Sequence, residues 1–208
     1  MIELFSADTP NGKKITIMLK EIGLDYKLTK IDLSKGEQFN SEFIKISPFC
    51  KIPVIIDHSN KQTIFESGAI LIYLAEKSGK FYDKEDRLKI NQWLMAQIGY
   101  IGPMIGQHHQ FHHYNPGKSK FGEERYFEIT KKIYQDLDNR LQNSKYLAGK
   151  KYSIADIATW PWIARHKWHD IGLKKFKNLS RWYLEIADRK AVIEGYDLSN
   201  NGSTIPIL

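Results

Sequence analysis

The chain has 208 residues, and its 31 lysines and arginines against 24 aspartates and glutamates give a formal net charge of +7. This length can bury the core of one large domain or two small ones. The single cysteine excludes an intramolecular disulfide framework and a cysteine-based zinc site, and no apolar run approaches the ~18–20 residues of a transmembrane helix. We therefore expect a cytoplasmic protein without a membrane partner.

The charge is distributed unevenly along the chain. Residues 1–78 carry ten lysines, no arginine and ten acidic side chains, so the whole net charge of +7 lies in residues 79–208. All five tryptophans also follow residue 79. This difference in composition predicts two domains, and the basic charge of the second part raises the question of nucleic-acid binding.

The first elements in chain order form a βαβ unit. Residues 2–5 and 26–33 are predicted strands. Between them, Thr9 is a predicted N-cap, Pro10 occupies the first helical position, and Gly23 ends the helix. Two strands joined by a helix in this way form a parallel pair.

A second half follows a polar connection over residues 34–50. Residues 53–57 and 62–65 are predicted strands joined by a turn, and a helix is predicted from Glu66 to Gly79. The order βαβ–ββα is that of an α/β thioredoxin-like domain, which we place at residues 1–79.

Only helical patterns follow residue 79. They cover roughly residues 85–110, 122–143, 153–171 and 177–190, and a polar tail over residues 199–204 comes after them. Ser153 and Asp156 have the spacing of a capping box. The pattern predicts an all-α C-terminal domain at residues 86–208.

Ile52-Pro53 stands where the third strand of the thioredoxin-like order begins. A cis peptide bond there would turn the N–H and C=O of Ile52 outward, where a peptide-like ligand could pair with them as an added strand. The alternative is an ordinary trans proline at a strand edge.

Glu66-Ser67 stands where a predicted strand meets a helix N-terminus. Ser67 could donate its N–H and hydroxyl to a carboxylate, and Glu66 could pair with an ammonium group beside it. A ligand with an α-amino and an α-carboxylate group would satisfy both residues. The alternative is an ordinary helix start.

These two motifs together resemble the glutathione-binding domain of the glutathione transferases. The matching segments are Ser47-Pro48-x-x-Lys51-Ile52-Pro53-Val54 and Phe65-Glu66-Ser67-Gly68-Ala69-Ile70. Residues 9–15, 36–39, 102–107 and 124–126 are similar to the bacterial nu class. The resemblance covers nearly the whole chain and implies the glutathione transferase fold, an α/β thioredoxin-like domain followed by an all-α domain.

The resemblance also implies a role for each matching residue. The glutathione-binding residues would be Gln38, Lys51, Ile52, Pro53, Glu66, Ser67 and Arg125. Ile52 would pair with the cysteinyl backbone, while Gln38 and Lys51 would lie near the glycine end. Thr9 and Asn11 would stand beside the sulfur as the catalytic pair. Arg125 is similar to an arginine that the nu class sends into the partner subunit's site, so a homodimer is implied.

The nu class is known for glutathione-dependent disulfide-bond reduction, so glutathione would be the co-substrate, oxidised glutathione a ligand and a small disulfide the substrate. No tyrosine or cysteine occurs before Tyr26, so Thr9, Asn11 and a helix N-terminus would stabilise the ligand's thiolate. Conjugation to small electrophiles, with peroxidase side activity, is the alternative within the family. A non-catalytic interaction module that contacts phosphates is another, but such a module has no need of the two glutathione motifs, and we expect no nucleic-acid partner.

Two further features leave alternatives open. Cys50 is either a packed side chain or a covalent redox group. His108, His109, His112 and His113 could chelate a metal, line a second-substrate pocket or pack on a helix face. No acidic residue lies between Asp86 and Glu123, so we expect no metal site.

Overall fold

The computed structural model describes residues 1–199 and 202–208, and its N-terminal part contains one four-stranded sheet. The strands are β1 (Ile2–Ser6), β2 (Tyr26–Lys30), β3 (Val54–Asp57) and β4 (Gln62–Phe65), in the order β2-β1-β3-β4. β1 and β2 are parallel, as the βαβ pattern predicts, whereas β3 is antiparallel to both β1 and β4. The predicted thioredoxin-like fold is confirmed.

The helices beside this sheet are α1 (Pro10–Ile22), the single turn α2 (Ser41–Ile44) and α3 (Ser67–Ser78). α1 begins and ends where the sequence predicts. The Thr9 side chain accepts a hydrogen bond from the N–H of Gly12, and Gly23 ends the helix in the left-handed conformation with φ of 73°. The same kind of glycine cap, Gly79, ends α3.

The segment after β1 and α1 differs from its prediction. The strand predicted to reach residue 33 ends at Lys30, and two 3₁₀ turns, Leu33–Lys35 and Glu37–Phe39, precede α2. The Asp32 carboxylate accepts a hydrogen bond from the N–H of Ser34 at 3.0 Å, which starts the first turn. A local side-chain bond of this type competes with the strand ladder.

The second part of the chain is helical, as predicted. Its helices are α4 (Arg87–Ala96), α5 (Gly102–His108), α6 (Lys120–Gln142), α7 (Ile154–Ile163) and α8 (Lys177–Ala187). Two π-helical segments, Gln97–Ile101 and His109–Tyr114, flank α5. The helical region predicted at residues 85–110 therefore extends from 87 to 114, and in these two segments the backbone hydrogen bonds join residues five positions apart.

The capping box of α7 is present and buried. The Asp156 carboxylate accepts hydrogen bonds from the N–H groups of Ser153 and Leu147 and from Nε1 of Trp182, at 2.9–3.1 Å. Burial raises the pKa of Asp156 to about 6, although these donors act in the opposite direction. The carboxyl group therefore ties the start of α7 to α8 and to the preceding loop.

The two compact units of the structure divide the chain differently from the predicted domains. The first contains residues 1–80 and the described residues from Lys190 to Thr204; the second contains 81–189 and 205–208. The predicted C-terminal domain of 86–208 thus includes a final helix, α9 (Lys190–Tyr196), that packs in the first unit. The predicted polar tail at 199–204 includes Asn200 and Asn201, which lie outside the described residues.

Helix α9 packs closely on α1. Thr16 Oγ1 donates a hydrogen bond to the carbonyl oxygen of Gly195 at 2.6 Å, and the Lys13 ammonium lies 3.9 Å from the Tyr196 ring centre and contacts its carbonyl oxygen. A β-carbon at Gly195 would lie 2.6 Å from the α-carbon of Ile17. The two backbones can approach this closely only because residue 195 is glycine.

Within the described residues, no helix is both long and apolar enough to cross a bilayer.

Replacing Gly195 by alanine should destabilise the protein by about 1–3 kcal/mol, because the added methyl group has to push the backbone of Ile17 away. Urea unfolding measures the loss. Gly99→Ala is the matched control, since a β-carbon at Gly99 meets nothing within 4 Å. Equal stabilities of the two variants would contradict this packing of α9 on α1.

Candidate functional site

A cavity of about 150 Å³ in the first unit brings together most of the predicted site residues. It is lined by Asn11, Ser47, Phe49, Lys51, Ile52, Pro53, Phe65, Glu66 and Ser67. Six of the nine predicted residues are in this set, whereas Thr9, Gln38 and Arg125 are outside it. Ser47, Phe49 and Phe65 also line the cavity and were not predicted, although all three lie in or beside the matching motifs.

A short loop before β3 forms one wall of the cavity. The buried Ser47 hydroxyl accepts a hydrogen bond from the N–H of Lys51 at 3.0 Å and donates one to the carbonyl oxygen of Lys51 at 2.7 Å. The Ile52-Pro53 peptide bond that follows is cis, the first of the two alternatives that the sequence left open. Ile52 precedes the strand ladder, which begins at Val54.

The N-terminus of α1 forms a second wall. Asn11 lies in the first turn of α1 and lines the cavity, while Thr9 caps the helix with a 3.1 Å hydrogen bond from Gly12. A β-carbon at Gly12 would lie 2.3 Å from the carbonyl oxygen of Ala7, so the tight passage from β1 into α1 requires glycine. The structure thus places Asn11 on the cavity wall, whereas Thr9 caps the same helix and is absent from the cavity lining.

The N-terminus of α3 forms the third wall. Glu66 precedes the helix with φ of 70° and ψ of 116°, a region that residues other than glycine rarely occupy, while its carbonyl oxygen accepts the N–H of Ile70 at 2.9 Å. Ser67 is buried at the first helical position. Backbone strain of this type concentrates at binding sites, where the surrounding structure has to hold it.

The walls give the cavity a favourable potential for anions. The positive ends of two helix dipoles, those of α1 and α3, meet at residues that line it. Lys51 adds a cation and Glu66 a single carboxylate, so the cavity suits a ligand that carries carboxylates together with one ammonium group.

Lys14 lies behind the cavity wall, and the sequence analysis gave it no role. Its side chain is 1% exposed, and Nζ donates a hydrogen bond to Ser67 Oγ at 3.1 Å. Burial lowers the pKa of Lys14 to about 7, and the nearby Glu66 carboxylate partly opposes this effect. The spacing held a signal, because Lys14 lies three and four residues before the buried Ile17 and Met18 and so shares the apolar face of α1.

The remaining predicted residues lie elsewhere. Gln38 is in the 3₁₀ turn Glu37–Phe39, and its Oε1 atom is buried without a hydrogen-bond partner among the described residues. Arg125 is an exposed residue of α6 in the second unit.

Cys50 is a free, half-buried cysteine with φ of 55° and is absent from the cavity lining given above. Its N–H donates to the carbonyl oxygen of Ser47 at 2.9 Å, so its backbone contributes to the loop that holds Lys51 and Ile52.

The histidine cluster of the second unit forms a buried hydrogen-bonded chain. His109 Nε2 lies 2.7 Å from His169 Nε2, and His169 Nδ1 lies 2.6 Å from the hydroxyl of Tyr134. Burial lowers the pKa of His109 to about 3 and that of His169 well below its ordinary value, which favours the neutral form of both rings. His113 instead stacks on Trp168 with ring centres 3.9 Å apart. No group of three or more metal-binding side chains is found in the described part of the chain.

Both halves of the chain match models of known protein families. Residues 2–76 match the family model of the glutathione S-transferase N-terminal domain, and residues 101–190 match that of the C-terminal domain. The chain is 48% identical over 198 residues to the disulfide-bond oxidoreductase YfcG of Escherichia coli, covering 92% of each protein.

Solved structures agree with this assignment. A Burkholderia graminis glutathione transferase with two glutathione molecules per subunit has a TM-score of 0.90 at 36% identity, over 97% of this chain and 89% of that one. A Pseudomonas putida glutathione transferase with one glutathione disulfide per subunit has a TM-score of 0.88 at 39% identity, over 95% and 91%. With matches of this extent to the models of both domains and to these relatives, the chain belongs to the glutathione S-transferase family of enzymes.

Proposed function

We propose that the chain reduces small disulfides with glutathione, as a homodimer in the cytoplasm. The observation that carries the proposal is the composition of the cavity. Its described lining residues combine two helix N-termini, Asn11 and Glu66-Ser67, and include no tyrosine or cysteine that could activate a thiol or attack a substrate. The reacting sulfur is therefore that of the ligand.

Each part of glutathione has a complementary wall. The γ-glutamyl carboxylate meets the hydroxyl and N–H of Ser67 at the start of α3, and the adjacent ammonium pairs with Glu66. The cysteinyl backbone pairs with Ile52 in the manner of an added strand. Lys51 and the amide N–H groups of Gln38 serve as donors to the carboxylate of the glycine end.

The cap of α1 suits a thiolate. The Thr9 hydroxyl oxygen already accepts the N–H of Gly12, which leaves its O–H hydrogen free to be donated, and the Asn11 amide supplies a second donor. Donors and a helix N-terminus favour the ionised form of a thiol whose ordinary pKa is ~8.5.

The reaction then balances with two glutathione molecules. The first thiolate attacks one sulfur of the disulfide, the S–S bond breaks, and the departing thiolate takes up a proton. The thiolate of a second glutathione attacks the resulting mixed disulfide, which releases the other substrate thiol and oxidised glutathione. The relatives support both ends of this sequence, since one structure holds two glutathione molecules per subunit and another holds one glutathione disulfide.

The main test is glutathione-dependent reduction of a small disulfide by the purified protein. The wild-type protein should catalyse the reaction, and Asn11→Ala should lower kcat/KM by about tenfold or more, since it removes one donor to the thiolate. Cys50→Ser is the matched control and should retain most of the activity, because the mechanism uses no protein thiol.

Two results would contradict this mechanism. Complete loss of activity in Cys50→Ser would assign covalent catalysis to the protein. An inactive wild type that conjugates glutathione rapidly to an aryl halide would establish the alternative within the family.

Arg125 supplies a second test, of the proposed dimer. It is exposed on α6 and forms no ion pair within the described residues, so it is available to a neighbouring subunit. We propose that it reaches the glutathione site of the partner subunit.

Arg125→Ala should weaken binding of oxidised glutathione about five- to tenfold and binding of glutathione less, because the oxidised form carries twice as many carboxylates. Titration calorimetry measures both constants. Lys131→Ala on the same helix, where Lys131 lies near Glu128, should change neither. Equal losses for the two ligands in Arg125→Ala would remove Arg125 from the site.

A further inference from the structure

We propose that Lys14 is a positioning residue for glutathione, which acts through the Ser67 hydroxyl and couples ligand binding to its own protonation. The proposal rests on the proposed function only in taking glutathione as the ligand. What is new is that a proton is bound together with the γ-glutamyl carboxylate. The residue that binds this proton, Lys14, lies outside the two sequence motifs.

Lys14, Ser67 and the cavity follow one another in space. Lys14 on α1 is 1% exposed and Ser67 at the start of α3 is 6% exposed, and the Nζ–Oγ hydrogen bond of 3.1 Å connects them. Ser67 lines the cavity, whereas Lys14 is absent from its lining. The lysine therefore acts on the ligand through the serine, not by direct contact.

The protonation state of Lys14 decides which way this hydrogen bond runs. An ammonium group has only donors, so Ser67 Oγ has to accept, and its own O–H hydrogen remains available to a carboxylate in the cavity. A neutral amine has a lone pair and can accept the Ser67 O–H instead. The hydroxyl then presents only lone pairs to the carboxylate, which it repels.

The charges around Lys14 allow a ligand to shift this balance. Glu66, before α3, is the carboxylate that raises the pKa of Lys14 against the effect of burial. The other charged groups on neighbouring elements have partners of their own: Lys13 with Asp8, Lys20 with Glu194 of α9, and Asp57 of the sheet with Lys77 and Tyr73. A bound carboxylate adds a second negative charge near Lys14 and raises its pKa further.

The sign of the pH dependence follows. Free protein loses the Lys14 proton as the pH rises through about 7, while the complex keeps it to higher pH. Binding between these two pKa values takes up a proton, and affinity falls as the pH rises through that range. Well below pH 7, Lys14 is charged in both states, and its titration no longer makes the affinity depend on pH.

The experiment uses S-methylglutathione, which has no thiol to titrate, and the full-length protein. Titration calorimetry at pH 7.5 in two buffers of different ionisation enthalpy gives the protons taken up per site. The wild type should take up roughly 0.5 proton more than Lys14→Met, because the ligand's own amino group contributes equally in both. At pH 6, Lys14→Met should bind S-methylglutathione about tenfold more weakly than the wild type does, because one charge-assisted hydrogen bond is lost. The ratio of the two dissociation constants should approach one by pH 9.

Three further variants separate positioning from structure. Lys14→Gln keeps a donor without a titratable group, so it should recover most of the affinity at pH 6 but not the proton uptake. In a Ser67→Ala background, Lys14→Met should cost little, because the hydroxyl through which Lys14 acts is gone. Lys20→Met, which removes an exposed lysine of the same helix, should behave as the wild type does.

The outcomes distinguish this inference from the proposed function. A wild type that binds S-methylglutathione with the same proton uptake and pH profile as Lys14→Met overturns the role of Lys14 and leaves the function intact. A wild type that does not bind S-methylglutathione overturns both. A cost of Lys14→Met that persists unchanged in the Ser67→Ala background also overturns the positioning role.

Discussion

Two consecutive buried lysines on α1 hold the first unit together. Lys13 faces one way, to Asp8 and the ring of Tyr196 on α9, and Lys14 faces another, to Ser67 at the start of α3. A buried ammonium group is costly unless its donors are satisfied. Because each lysine finds its partners on a different element, their burial specifies where α3 and α9 pack on α1.

The packing of α3 on α1 also positions the cavity, because the N-termini of both helices lie at its wall. α1 and α3 direct their N-termini to the same place, and the hydrogen bond from Lys14 joins them just behind its wall. A site for carboxylates made in this way needs few charged side chains of its own, since backbone N–H groups and dipoles supply most of the field. The first part of the chain can therefore bind an anion although its net charge is zero.

Local signals were enough to predict the order of strands and helices from the sequence. Thr9, Gly23 and Gly79 mark helix ends by their own backbone and side-chain chemistry, and that chemistry does not depend on distant parts of the chain. The position of the cavity could also be predicted from the sequence, because Ile52 and Ser67 each stand at a junction between elements. The place of each junction in the fold follows from the order of the strands and helices.

Several of the missed features depend on contacts between distant segments. Residues 190–196 were placed in the helical C-terminal domain, and contacts such as that of Thr16 with Gly195, 179 residues apart, show that α9 returns to the first unit. In the same way, His109 meets His169 across 60 residues, a contact that the spacing of the histidines at 108–113 does not indicate. No role was predicted for Lys14, whose acceptor, Ser67, is 53 residues away.

The packing of α9 on α1 also has a consequence for folding during synthesis, because α9 is translated much later than the helix on which it packs. Chains are made from the N-terminus at roughly 5–20 residues per second, and domains generally fold as they emerge. The sheet, α1 and α3 are complete by residue 80, yet the helix that covers Lys13 and Thr16 is translated only after residues 81–189 of the second unit. During that interval of about 5–20 seconds, the nascent first unit lacks α9, so the side of α1 that carries Lys13 and Thr16 stays uncovered until that helix has been translated.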